Sequence, residues 1–159
     1  MKYSDIRPLI RSGDLLAWDT KGVGVWNKLL IWLGRLGQLT QWTHVGVAWV
    51  VGDRVFVLDA VASGVRDYPL SQTLPVYLIS RNTPLTDEQL AFAISKKGQQ
   101  YSYWECFLAW IKRNDKTNKF WQCAEYASAV LGLDCDATPS AVIDYVMQRG
   151  GSMVFISSQ

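Results

Sequence analysis

HVGVAWVVGDRVFVLDAV, His44 to Val61, holds two runs of β-branched and aromatic residues on either side of Gly52-Asp53. The runs have strand composition, and Gly and Asp are residue types that close two-residue hairpin loops. The stretch predicts a β-hairpin, and a two-residue loop fixes its register. Val51 then pairs with Arg54, Gly46 with Asp59 and His44 with Val61. Opposed residues share a face, as do residues two apart on one strand, so His44 and Asp59 become diagonal neighbours about 7–8 Å apart at Cα. Their companions on that face are Gly46, Ala48, Val50, Val55 and Val57. An unpaired carboxylate in such surroundings is costly, and His44, the single histidine of the chain, is its available partner. A three-residue loop would send the two side chains to opposite faces.

Working outward, SGDLLAW (Ser12 to Trp18) is a turn signal followed by a short apolar run and reads as a first strand. PVYLIS (Pro75 to Ser80) and SMVFIS (Ser152 to Ser157) read as further strands. Trp26, Leu29, Leu30, Leu33 and Leu36 recur at helical spacing between Val25 and Leu39. That amphipathic helix would pack on the sheet, with an interfacial, lipid-entry role as its alternative. TDEQLAFAISKKG opens with the capping-box pair Thr86 and Gln89 and stops at Gly98, and Tyr103 to Ile111 continues helically. WQCAEYASAVLGL gives a helix ending at Gly132, and TPSAVIDYVMQRG one with Thr138 as N-cap, Pro139 in its first turn and an end at Gly150. The expectation is a single α+β domain over residues 1–159, a small antiparallel sheet packed against helices.

The 159 residues carry a net charge of +2 and are 49% hydrophobic, enough for a sizeable core. Their basic residues are scattered, so no nucleic-acid stripe exists. No run reaches the ~18 apolar residues of a membrane span, and the N-terminus lacks the apolar core of a secretory signal. A protein that is cytoplasmic where it is made, with delivery by a phage particle or another export route as the exception, is expected. Three cysteines without a Cys-x-x-Cys pair fit a reducing compartment.

Cys123 stands in the first turn of its helix, where the macrodipole and free N–H groups lower a thiol's pKa and can hold an oxyanion. With His44 as base and Asp59 orienting the ring, the chain holds the parts of a nucleophilic triad; a buried structural thiol is the plain alternative. Cys106, inside a helix, and Cys135, beyond a helix end, lack that setting. Glu125, pointing away from Cys123, reads as a solvated helix residue. One histidine and three dispersed cysteines make a poor zinc set, so neither a metal nor an organic cofactor is expected.

In order, GDLLAW, an amphipathic segment, THVGVAWVV-GD-RVFVLDAV, GQQYSYWE, FWQCAEYASAVLGL and ATPSAV resemble the circularly permuted NlpC-type papain-like proteins, including the YiiX-like group. Lecithin retinol acyltransferase-like enzymes share that permuted fold, an antiparallel sheet or partial barrel against helices. The resemblance implies Cys123 as nucleophile, His44 as base and Asp59 as the residue orienting the base, where the YiiX-like pattern usually has a glutamate longer by one methylene. It also implies Tyr101 and Tyr103 as cleft aromatics, to which we add Trp42. The implied activity is a cysteine hydrolase acting on an amide bond, in peptidoglycan peptides or acylated amines, through an acyl-enzyme. A lipid acyl hydrolase or acyltransferase and a catalytically silent binding domain are the alternatives. The expected partner is a small-molecule, peptide or lipid substrate, with no nucleic acid and no transmembrane segment, and the chain is expected to be a monomer.

Overall fold

The computed structural model describes residues 1–19, 41–61, 64–99 and 122–158. Among the described residues six strands form one antiparallel sheet: β1 (Leu15–Asp19), β2 (Trp42–Val51), β3 (Arg54–Val61), β4 (Gly64–Pro69), β5 (Val76–Ser80) and β6 (Ser152–Ile156), in the order β4-β3-β2-β1-β5-β6. The described helices are α1 (Tyr3–Ile6), α2 (Asp87–Ser95), α3 (Cys123–Leu131) and α4 (Pro139–Gln148). The α+β expectation holds, and the sheet is open, with β4 and β6 at its edges in place of a partial barrel.

The hairpin forms with the register its loop demands. Val51 pairs with Arg54 and the ladder runs back to Val47 and Leu58. Gly52 takes a φ of 60°, the conformation that favours glycine at the first position of such a turn. β1 shows why LLAW reads as an unbroken apolar run. It lies between β2 and β5, and Leu15, Leu16 and Ala17 are all fully buried because both faces of the sheet are covered.

Two-residue alternation sorts the strand residues into two cores. Leu15, Ala17, Val45, Val47 and Leu58 pack with Ala93 of α2, Tyr126, Ala127 and Val130 of α3 and Val142 of α4. Leu16, Ala48, Val55, Val57 and Leu78 pack on the other side with Ile6, Ile10 and Leu70. By the ~25 cal/mol per Å² of apolar area, each large side chain so buried contributes about 1.5–3 kcal/mol.

Helix ends follow the sequence signals. Thr86 and Gln89 form the reciprocal capping box of α2, Gly132 closes α3 at φ 63°, and the Thr138 hydroxyl accepts from Ala141 N–H at the start of α4. β4 was not expected: GVRDYP carries glycine, proline and two charges, and pairing with β3 makes it a strand despite them. The helices expected over Val25 to Leu39 and Tyr103 to Ile111 lie outside the described residues. Among the described residues no helix is long and apolar enough to cross a membrane.

Candidate active site

Asp59 has no exposed surface, and its Oδ2 lies 2.8 Å from His44 Nε2. The contact forms just beyond the last pair of the β2–β3 ladder, Val47 with Leu58, so the expected pairs Gly46–Asp59 and His44–Val61 are not part of it, and the absence of a side chain at Gly46 leaves room for it. A Cβ at Gly46 would come within 2.9 Å of Val57 Cγ1 and 3.3 Å of Asp59 Cβ, blocking the path between the two side chains. The ring of His44 also packs against Trp18 of β1, its paired residue, at 5.2 Å between centroids. Trp18 is itself tied down by its indole N–H, which donates to the Thr73 carbonyl at 2.8 Å.

With Nε2 held by Asp59, the other nitrogen of the ring is left for Cys123. The Cys123 side chain is half-buried, at the first position of α3, and hydrogen-bonds to His44. Backbone N–H groups of Val45 and Ala124 also donate to its sulfur. Both donors follow from the local chain geometry. Ala124 lies in the first turn of α3, where N–H groups have no intrahelical acceptor. Ala48 exchanges hydrogen bonds with Gly13 and Asp14 on the β1 side, so strand alternation aims Val45 N–H toward the β3 side, beyond the last pair of that ladder.

These contacts set the ionisation of the pair. Burial alone would lower the His44 imidazole, but the Cys123 charge, the Asp59 hydrogen bond and the Asp59 charge outweigh it, and the ring is pushed up to about 10. Burial alone would raise the Cys123 thiol, but the His44 charge and the hydrogen bonds from His44, Val45 and Ala124 hold it below its ordinary value of 9.0. The state favoured between those limits is a thiolate beside an imidazolium, the form in which a cysteine attacks.

The structure thus brings Cys123, His44 and Asp59 together. Trp42 is placed in the core, 9% exposed, with its ring edge-on to Tyr77 at 5.0 Å. Tyr101, Tyr103 and Cys106 lie outside the described residues. Glu125 does not simply face solvent: it is half-buried, accepts from Gln122 N–H at 3.4 Å, and so caps the helix that carries the thiol. Cys135 sits apart, with its sulfur 3.6 Å from Ser128 Oγ.

Two residues near Asp59 escaped the sequence reading. Tyr68 donates its hydroxyl to Asp59 Oδ2 at 2.5 Å, and Arg66 Nε lies 3.7 Å from Oδ1. Both belong to β4, and only recognition of that strand could have shown them: Arg66 is paired with Asp59 and Tyr68 is diagonal to it.

No family model and no curated protein sequence matches the chain. Among solved structures it is similar to the crystal structure of the metalloprotein yiiX from Escherichia coli O157:H7, DUF1105, at 18% identity and a TM-score of 0.53. The match covers 76% of this chain and 63% of yiiX, so the chain spans less than two thirds of that protein's length. The likeness is one of fold, a YiiX-like α+β architecture.

Proposed function

We propose that the chain is a cysteine hydrolase of permuted papain-like type, cleaving an amide bond in a peptidoglycan peptide or an acylated amine. The observation that carries this reading is the continuous line of contacts from Cys123 to His44 to Asp59. Each member of that line is held by a separate element, α3, β2 and β3.

In this reading the Cys123 thiolate attacks the carbonyl carbon, a C–S bond forms, and the carbonyl electron pair moves onto oxygen. N–H groups in the first turn of α3 receive the oxyanion. As the tetrahedral intermediate collapses, the C–N bond breaks and the His44 imidazolium gives its proton to the departing amine. Neutral His44 then takes a proton from water, whose oxygen attacks the thioester. The C–S bond breaks, the acid leaves, and the thiolate–imidazolium pair is restored. Asp59 fixes the ring's orientation and stabilises its protonated form throughout.

The protein yiiX, similar in fold, is described as a metalloprotein. In the present chain Asp59 occupies one ring nitrogen of His44, leaving the other and the Cys123 sulfur as two donors. Among the described residues no group of three or more His, Cys, Asp or Glu side chains is arranged to hold a metal ion. Among the described residues the donor set around Cys123 and His44 does not fit a resident metal.

Purified peptidoglycan, N-acyl amines, a short-chain thioester and phospholipid vesicles, each incubated with the full chain and with Cys123→Ala, test the assignment. Release of amine or peptide by the parent alone supports it. Turnover of the lipid alone would replace it with the acyltransferase reading, and equal rates for parent and Cys123→Ala would end it.

A further inference from the structure

Asp59 lies on β3 between two strands whose side chains compete for it. From β2, His44 reaches Oδ2 at 2.8 Å; from β4, the Tyr68 hydroxyl reaches the same oxygen at 2.5 Å. The other oxygen, Oδ1, is buried and accepts no hydrogen bond from the described residues. Arg66 lies beside it, with Nε at 3.7 Å and a side chain 48% exposed. Arginine and carboxylate usually join through two parallel hydrogen bonds, one to each oxygen. At Asp59 that pairing is incomplete although Arg66 sits directly opposite in the ladder. Two features account for it: Oδ2 is already occupied by the hydroxyl and the imidazole, and the guanidinium is stacked over the Tyr68 ring, 4.4 Å from its centroid.

We propose that Tyr68 is a positioning residue, a latch that keeps the Asp59 carboxylate turned toward His44 and out of a two-bond pair with Arg66. The hydroxyl suits the task because burial, then the Asp59 charge, pushes its ionisation far above the ordinary range, so it remains a donor. Without it, rotation of the Asp59 side chain would give both carboxylate oxygens N–H donors from Arg66. His44 would then lose the group that favours its protonated form, and Cys123 would lose the charge that favours its thiolate. The inference deepens the reading of His44 as the base for Cys123, but the latch itself involves only Tyr68, Asp59, Arg66 and His44. The other described groups that bear on it are Cys123 and Tyr126 from α3 and the Trp18 ring from β1.

The chain has one histidine, so imidazole ¹⁵N resonances report His44 without ambiguity. We would titrate the ring in the full chain and in Tyr68→Phe, Arg66→Met and the double variant. Alkylation of Cys123 by iodoacetamide at pH 6 would be measured on the same samples. Tyr68→Phe is expected to lower the His44 midpoint by about one unit or more and to slow alkylation about tenfold, the factor one unit represents. Arg66→Met alone is expected to change neither appreciably, and the double variant to regain most of the parent behaviour. A hydroxyl that merely stabilised the sheet would lower Tm without moving the ring titration. An unmoved titration in Tyr68→Phe overturns the proposal, as does a shift that Arg66→Met fails to reverse. If Tyr68→Phe does not fold, Tyr68→Met, which also lacks the hydroxyl, is read in the same way. The readout is a ring titration, so it is decided whether or not any substrate is turned over.

Discussion

Asp14 and Asp59 are both buried carboxylates beside or within the same sheet, 3% and 0% exposed, and they differ in what they touch. Asp14 accepts its hydrogen bonds from Arg11 N–H at 2.8 Å and Arg81 N–H at 3.1 Å, two backbone donors that do not titrate, while its charge also acts on the Arg81 guanidinium. Its own backbone exchanges hydrogen bonds with Ala48 through Gly13 and Asp14, so it ties the entry to β1 onto β2 and the end of β5. Asp59 faces an imidazole, a phenol and a guanidinium, and leaves one oxygen without a hydrogen bond from the described residues. Burial alone therefore does not separate the two carboxylates. The hydrogen-bond donors do: backbone N–H groups at Asp14, and an imidazole and a phenol, both able to titrate, at Asp59.

Asp14→Ala takes the acceptor from two part-buried N–H donors, and at about 1–3 kcal/mol for each it should give the largest loss of stability in a denaturant melt. Alkylation of Cys123 should stay near the parent rate. Asp59→Asn should do the reverse, with a smaller change in the melt and a fall of at least ~10²-fold in kcat/KM, the scale on which loss of a triad's orienting carboxylate acts. If both variants lose the same property, the distinction is void.

The His44 ring is raised to about 10 and the Cys123 thiol lowered below 9.0, so the ion pair exists between the two limits. Turnover should fall on the acid side as the thiolate takes up a proton. On the alkaline side it should fall as pH rises through about 10 and His44 loses the proton owed to the leaving group. Alkylation needs only the thiolate and should show the acid limb alone. The smallest effect is expected from Thr86→Ala, which removes the N-cap of α2 and should cost ~1 kcal/mol as lost helix caps do while leaving thiol reactivity unchanged.

Much of this was legible because it depends on short-range rules. A Gly-Asp loop set the hairpin register as far as Val47 and Leu58, and the same two-residue alternation anticipated His44 beside Asp59 just beyond that ladder. Capping residues marked the starts of α2 and α4, and Gly132 the end of α3. β4 was hidden because GVRDYP lacks strand composition and gains its order from pairing with β3, a tertiary effect that local propensity does not carry. Tyr68 and Arg66 were hidden with it. Gly13-Asp14 belongs to the stretches that carry the family resemblance, and its chemistry is structural. Gly13 at φ 99° lies so close to Leu85 that a Cβ would come within 2.8 Å of its nitrogen, and Asp14 binds backbone. The meeting of Cys123 with His44 is between residues far apart in sequence and could be expected only from the resemblance or seen in the fold.

The most direct test of the account is the rate at which iodoacetamide alkylates Cys123 at pH 6, with the modified peptide identified by mass spectrometry so that Cys106 and Cys135 are counted separately. The account predicts fast alkylation of the parent and a drop of about 10²-fold in His44→Ala, because an unassisted thiol is almost wholly protonated at that pH. A parent rate no greater than that of an ordinary exposed cysteine, unchanged in His44→Ala, would contradict it.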